Sequence, residues 1–309
     1  MHNASKESKT MNEARQYHLV KKRTLTTEEL VAIQQLAELC NRHDELQMRL
    51  DWQPLTNRSG AEVSDFLYYQ NDALVGYLNA YGFGNDEREL TGMVHPAQRR
   101  QGIARTLLQA AREEYTGHGV RELLLICEQR STSGKAFIEA VGAHHSFSEH
   151  EMVLTHFEPR NQFDDRLAFR LADSSDIKAL ATIMSTTEGT EIEAEEPVIQ
   201  QRLHDPVNQY YIAIFGDNEV GCHEPVGMLR LNEMDDEIGI YSFAVIPDYQ
   251  GRGYGRQILE EAIYAIQADP DHKTIMLDVD VSNERAFRLY HSCGFDIKTT
   301  YDYYSVVLA

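Results

Sequence analysis

Residues 93–111, MVHPAQRRQGIARTLLQAA, and residues 244–262, AVIPDYQGRGYGRQILEEA, are two versions of one pattern. Each runs from an apolar pair through a proline and a polar turn to glycine-x-small, and then into an amphipathic helix. Pro96 and Pro247 lie 151 positions apart, as do Gly102 and Gly253; Gly142 and Gly294, each following a later helix, lie 152 apart. The openings also correspond, YHLVKKRTLTTEELVAIQQLAEL from Tyr17 with LAFRLADSSDIKALATIM from Leu167. A near-constant offset of half the chain means duplication, and a period this long means two whole domains rather than a solenoid. The expected layout is a polar, disordered tail over 1–16, an N-terminal domain over 17–157, a linker over 158–166 that contains Pro159, and a C-terminal domain over 167–309.

Within each half the pattern reads as strand, helix, several strands, then strand-turn-helix, strand, helix, strand. Strands are expected at DFLYYQ, ALVGYLNAYG and ELLLIC in the first half, and at YYIAIF, VGMLRL, GIYSFAVI and TIMLDVDV in the second. Such alternation implies an α/β domain with a mixed sheet flanked by helices. The net charge of -20 argues against nucleic acid as a partner, because a phosphate-backbone binder needs a clustered basic surface. No run of ~18 apolar residues suggests a membrane span, and the first sixteen residues lack the apolar core of a signal peptide. Four cysteines, Cys40, Cys127, Cys222 and Cys293, are scattered without a CxxC pair. That favours a reducing, cytoplasmic setting, with no structural zinc.

The turn Gln250-Gly251-Arg252-Gly253-Tyr254-Gly255 feeds a strand into a helix. Such a turn gathers backbone N–H groups at the positive end of the helix, which suits a pyrophosphate. The glycines permit close approach, and Arg252 and Arg256 can add charge. The spacing is not that of a Rossmann GxGxxG, and the Lys-Ser/Thr of a Walker loop is absent. Gln250-x-x-Gly253-x-Gly255 after Val245-Ile246-Pro247 resembles the Q/R-x-x-G-x-G/A signature of the GNAT N-acetyltransferase family. The first copy matches as Arg99-x-x-Gly102-x-Ala104 after Val94-His95-Pro96. The resemblance covers nearly all of both halves and implies two tandem acyl-CoA N-acyltransferase domains. It further implies that acetyl-CoA is bound with its pyrophosphate on the turn and its pantetheine arm along Phe243-Ala244-Val245. The matching candidates in the first copy are Val94, Arg99, Arg100, Gln101, Gly102, Ile103 and Ala104.

Beyond the next strand, Asn283, Ala286, Phe287, Tyr290 and Gly294-Phe295 resemble the family's N…A…Y…GF segment. There Asn283, Ala286 and Phe287 would face the cofactor, and Tyr290 would give a proton to the departing thiolate. In the first copy Ser131, Gly134 and Ile138 stand at the matching positions, so catalysis is expected in the C-terminal domain alone. The family often sets a glutamate base eleven residues before the Q/R; Gly239 and Arg88 stand there instead. Glu237, two residues earlier on the same strand face, becomes the candidate base. Two acidic runs, 188–197 and 232–237, suggest a small-molecule or peptide amine acceptor of cationic character. The alternatives are an acyl-CoA-binding protein without turnover, and transfer to a hydroxyl.

Overall fold

The computed structural model describes residues 17–82, 86–158, 163–217, 222–234, 236–268 and 273–308. The expected tail 1–16 and residues 159–162 of the expected linker fall outside them. Two compact units emerge, one of Met1–Ser146 with Asp302–Ala309, the other of Phe147–Tyr301.

The first unit holds β1 (Tyr17–Lys22), α1 (Thr27–Asp44), α2 (Trp52–Thr56), β2 (Asp65–Gln70), β3 (Ala73–Tyr81), β4 (Glu87–Val94), α3 (Ile103–Tyr115), β5 (Glu122–Glu128) and α4 (Thr132–Val141). Helix α1 begins where its sequence permits. Thr26 accepts from the Glu29 N–H while the Glu29 carboxylate accepts from the Thr26 N–H, so two orphan donors are satisfied together. Ile33, Leu36, Ala37 and Cys40, at spacings of three and four, then pack on one face of the sheet with Tyr77 and Met93. Helices α3 and α4 cover the other face, where Leu107, Ala111 and Ile138 join Leu90 and Leu125.

The second unit holds β7 (Leu167–Leu171), α5 (Ile177–Glu188), α6 (Ile192–Leu203), β8 (Asn208–Asp217), β9 (Cys222–Glu233), β10 (Glu237–Val245), α7 (Tyr254–Gln267), β11 (Thr274–Asp280) and α8 (Glu284–Ser292). Asp173 and Asp176 form a capping box just before α5. Leu180, Ile183, Met184 and Ile199 of α5 and α6 pack over Tyr210, Ile212 and Met228 on one face of the sheet. Ile258, Ala262, Ile263 and Tyr290 of α7 and α8 pack over Ile240, Leu277 and Val279 on the other.

The remaining strands, β6 (His144–Leu154) and β12 (Phe295–Val307), each cross a boundary between the units. Residues 149–153 of β6 pair antiparallel with β11, so they belong to the second unit. Residues 302–307 of β12 lie beside β5, and Val306 and Tyr304 enter the core of the first unit. The expected bounds 17–157 and 167–309 therefore differ from the units found: residues 147–157 stand with the second unit and 302–309 with the first. The cause is strand pairing, which ignores where the repeated motifs end.

Candidate active site

In the second unit β10 and β11 run parallel and pair only from Glu237–Thr274 to Ile240–Leu277. Both continue, β10 to Val245 and β11 to Asp280, so the strands part. A bulge in β10 lies just past the last paired rung. Tyr241 faces Arg230 of β9 and Ala244 faces Met228, three steps on one strand against two on the other, with Ser242 at φ 47. The extra residue flips the phase of the strand beyond it. Val245 and Phe243 turn to the α7/α8 core, while Ala244 joins the α5/α6 core. Ile246 N–H bonds Val226 O on the β9 side, so the backbone groups of Val245 and Phe243 face the gap toward β11. Val245 O accepts from Gln250 Nε2 at 2.7 Å.

The turn after β10 has the expected form. Gly253 is the residue before α7 at φ 90, and Gly251 has φ 76. A Cβ on either glycine would meet nothing within 4 Å, so the concavity over the helix N-terminus is open as well as lined by N–H groups. The basic residues divide. Arg252 is exposed and lies over the Tyr249 ring at 4.9 Å. Arg256, expected to face the same concavity, turns away from it: it donates to Glu260 of its own helix at 2.9 Å and to Ser292 O of α8 at 3.1 Å. Arg285, which sequence reasoning missed, donates to Gln250 Oε1 and so stands at the turn. Tyr254 is buried and its hydroxyl donates to Asp164 at 3.2 Å. Gly255 packs beside Leu289, whose Cδ2 would lie 3.5 Å from an added Cβ.

Helix α8 stands beside the gap. Asn283 Oδ1 caps it by accepting from the Ala286 N–H at 3.1 Å. One and two turns on, Phe287 packs on His150 of β6 at 5.7 Å, and Tyr290 lies 6.2 Å from the Phe243 ring. Tyr290 is 9% exposed, and its hydroxyl has no hydrogen-bond partner among the described residues. Burial pushes its pKa up to about 12. The tyrosine is thus a protonated donor at the edge of the gap.

Glu237 does not reach this place. It opens β10, four residues before Tyr241 and therefore ~13 Å back along the strand, and Lys298 Nζ stands 3.6 Å from its carboxylate. Gly239 has a local cause: the Tyr241 ring folds back over it, and an added Cβ would lie 2.3 Å from Tyr241 Cε2. The carboxylate nearest the parting of the strands is Asp278, the first residue of β11 past the last paired rung. Leu277 and Val279 face α7 and α8, so Asp278 and Tyr241 face the α5/α6 side. Tyr290 and Asp278 therefore flank the gap from opposite faces of the sheet.

The first unit repeats the turn without the rest. Gly102 precedes α3 at φ 85, and Arg100 takes φ 64 where the second turn has Gly251. Ile103 is buried in the core and Ala104 half-buried. Strand β4 parts from β5 after Leu90–Leu125, but its pairing with β3 is regular from Glu89 to Val94. Arg99 does not point at the turn: Nε donates to Val94 O at 3.1 Å, and the fork grips Asp44 at 2.9 and 2.6 Å. Gln101 donates to Gln98 at 3.0 Å. Ile138 is 7% exposed at the place of Tyr290. Gly134 allows α4 to sit close, since a Cβ there would come within 2.6 Å of Cys127 Sγ. Because β4 lacks the bulge residue, Glu89 and not Arg88 is the rung that matches Gly239. Arg88 points to the other face, where its guanidinium lies over the Tyr115 ring at 5.5 Å.

Comparison with known proteins agrees with this geometry. The model of the acetyltransferase (GNAT) family matches residues 28–143 and again 177–295. Mycothiol acetyltransferase of Propionibacterium freudenreichii subsp. shermanii is 26% identical over 302 residues, covering 87% of this chain and 86% of that protein. The [ribosomal protein bS18]-alanine N-acetyltransferase of Escherichia coli K12 is 41% identical over 64 residues, which span 21% of this chain and only 43% of that enzyme. Among solved structures, a GCN5-related N-acetyltransferase from Sphaerobacter thermophilus superposes with a TM-score of 0.78 at 19% identity, covering 94% of this chain and 96% of that one. A tandem GNAT protein of the clavulanic acid biosynthesis pathway gives 0.73 at 15% identity, covering 95% and 99%. At these identities the structures speak for the fold alone. Two family matches, one in each half, cover most of the chain: it belongs to the GNAT acetyltransferase family.

Proposed function

We propose that the protein moves an acetyl group from acetyl-CoA to a primary amine, and that the second unit does the chemistry. The single observation that carries this reading is the coincidence, in that unit alone, of the bulged strand end, the open glycine turn, Tyr290 and Asp278. Of the relatives named above, the [ribosomal protein bS18]-alanine N-acetyltransferase is by its name an N-acetyl transferase, which is in keeping with an amine acceptor.

The residues divide the work. The N–H groups at Gly251–Gly253 would hold the pyrophosphate, with Arg252 and Arg285 adding charge. The backbone of Phe243–Val245 would hold the pantetheine arm by strand-like bonds. The donor supplies the activated acetyl group; the chain supplies position and two proton transfers. Asp278 takes one proton from the ammonium form of the acceptor. The freed nitrogen forms the new C–N bond as the C–S bond breaks. The Tyr290 hydroxyl protonates the leaving sulfur, and the second amine proton restores the phenol as the amide forms. Asp278 then returns its proton to solvent. The Lys298-paired Glu237 is better suited to balancing charge across the sheet than to this transfer.

The test compares Gly253→Val with Gly102→Val, after both are shown to be folded. Bulk at either position fills the concavity that a pyrophosphate needs, on backbone that is already left-handed. Thiol release from acetyl-CoA across an amine panel should vanish in Gly253→Val and persist in Gly102→Val. The opposite result would reassign the working unit.

A further inference from the structure

On the α5/α6 face of the second unit, a row of polar side chains crosses the sheet at one level. Tyr210 of β8 faces Arg230 of β9, which faces Tyr241 of β10. Asp278 comes next on β11, directly after the Ile240–Leu277 rung, and faces Glu151 of β6. Lys298 of β12 reaches Glu151 at 2.9 Å. The row lies at the rung where β10 leaves β11, on the side opposite Tyr290. Glu237 on β10 and Glu188 at the end of α5 add negative charge to the same side of the sheet.

Arg230 is the cation of this row on the far side of Tyr241 from Asp278. Its guanidinium carbon lies 4.7 Å from the Tyr241 ring centroid, and Nη1 donates to Asn208 Oδ1 at 2.6 Å. Asn232 donates to the same oxygen at 3.1 Å, which fixes the amide that orients the arginine. A half-buried guanidinium held between the Tyr241 ring and the Asn208 amide has lost rotamer freedom before any ligand arrives. It is a planar donor fork matched to an oxyanion. Strands stand ~4.8 Å apart, so Arg230 and Asp278, two strands apart, have backbones roughly 10 Å from each other.

We propose that Arg230 selects the acceptor by binding an anionic group on the same molecule whose amine is delivered to Asp278. The acceptor is then an amine bearing a carboxylate or phosphate several ångströms from the nitrogen, and not a polyamine. A second cation would be set against the arginine, a penalty that a plain amine escapes. The sequence-level expectation of a cationic acceptor rested on acidic runs; Arg230 adds to it a place for an anionic group on the same acceptor. The inference depends on the second unit being the working one.

Steady-state thiol release by the full chain tests it, with 6-aminohexanoate, hexylamine and 1,6-diaminohexane as matched acceptors and 6-aminohexyl phosphate as the phosphate arm. The carboxylate or the phosphate acceptor, whichever the fork fits, should exceed hexylamine in kcat/KM by at least tenfold, with the diamine lowest. Arg230→Gln should collapse that ratio toward one through KM, and Arg230→Lys should restore part of it. Calorimetry with acetyl-CoA shows that each variant still holds its donor. A diamine preference in the wild type overturns the proposal, as does an unchanged ratio in folded Arg230→Gln. Release with none of the amines overturns the acetyl-transfer reading itself; release without an anion preference overturns only this one.

Discussion

Burial of Tyr290 has a consequence for catalysis as well as for packing. The phenolate is the form that desolvation disfavours, so the raised pKa of about 12 keeps the proton on the oxygen through the working range. A general acid needs that state, and kcat should therefore show no falling limb from this group below pH ~11. Tyr290→Phe should lower kcat by roughly tenfold or more and leave acetyl-CoA affinity near wild type. Asp278→Asn should lower kcat by about a hundredfold. Its turnover should recover as pH approaches the ~10.4 at which an alkyl amine loses its own proton. A pH-independent deficit in Asp278→Asn would remove it from proton transfer. Tyr290 was legible in the sequence because the N…A…Y spacing ties it to a capped helix beside the gap. Asp278 was not. The run LDVDV carries two aspartates of the same parity, Asp278 and Asp280, and only the pairing register shows that Leu277 is the last rung.

At the scale of one strand, Ser242 separates the two copies. Leu90 and Ile240, the last paired residues before each gap, are 150 positions apart, whereas Val94 and Val245 are 151 apart. The constant offset of the turns hides one inserted residue, and the insertion is the bulge. The strand, turn and helix were all readable from apolar runs and glycine spacing. The bulge was not, because Tyr-Ser-Phe carries no signal of a left-handed residue; only pairing against β9 forces Ser242 to φ 47. Deleting Ser242 should restore regular alternation with Phe243 still on the α7/α8 face, as in the bulge-free first copy, and remove the local bend that the bulge puts into β10. The expected variant folds, as far-UV circular dichroism would report, yet binds acetyl-CoA at least tenfold more weakly and shows no turnover. Wild-type affinity in the deleted protein would mean that the bulge does not shape the donor site.

The two units owe their completeness to strands that lie far apart in the chain. The first unit needs residues 302–308: Tyr303 is 1% exposed and Val306 8%, Arg49 donates to the Tyr303 hydroxyl at 3.0 Å, and the Leu308 N–H bonds Arg121 O at 2.9 Å. Full burial of one large apolar side chain is worth ~1.5–3 kcal/mol, and a domain's whole stability is only about 5–15 kcal/mol. The sequence hid this arrangement because HHSFSEHEMVL and, beyond Phe295, FDIKTTYDYYSVV carry no motif, and a strand's partner is chosen by register over long separations. A chain ending at Tyr301 should lose the cooperative unfolding of the first unit and keep that of the second. Fragment 1–157 should likewise fail to fold, since it lacks its closing strand and carries residues 147–154 without β11. Fusing 302–309 through a short flexible linker after Ser146 should rescue it, because every backbone partner of the first unit is then present. Amide dispersion in two-dimensional NMR spectra would distinguish the three proteins. A well-dispersed spectrum from 1–157 alone would show that the contiguous half is the folding unit and that the closing strand is dispensable.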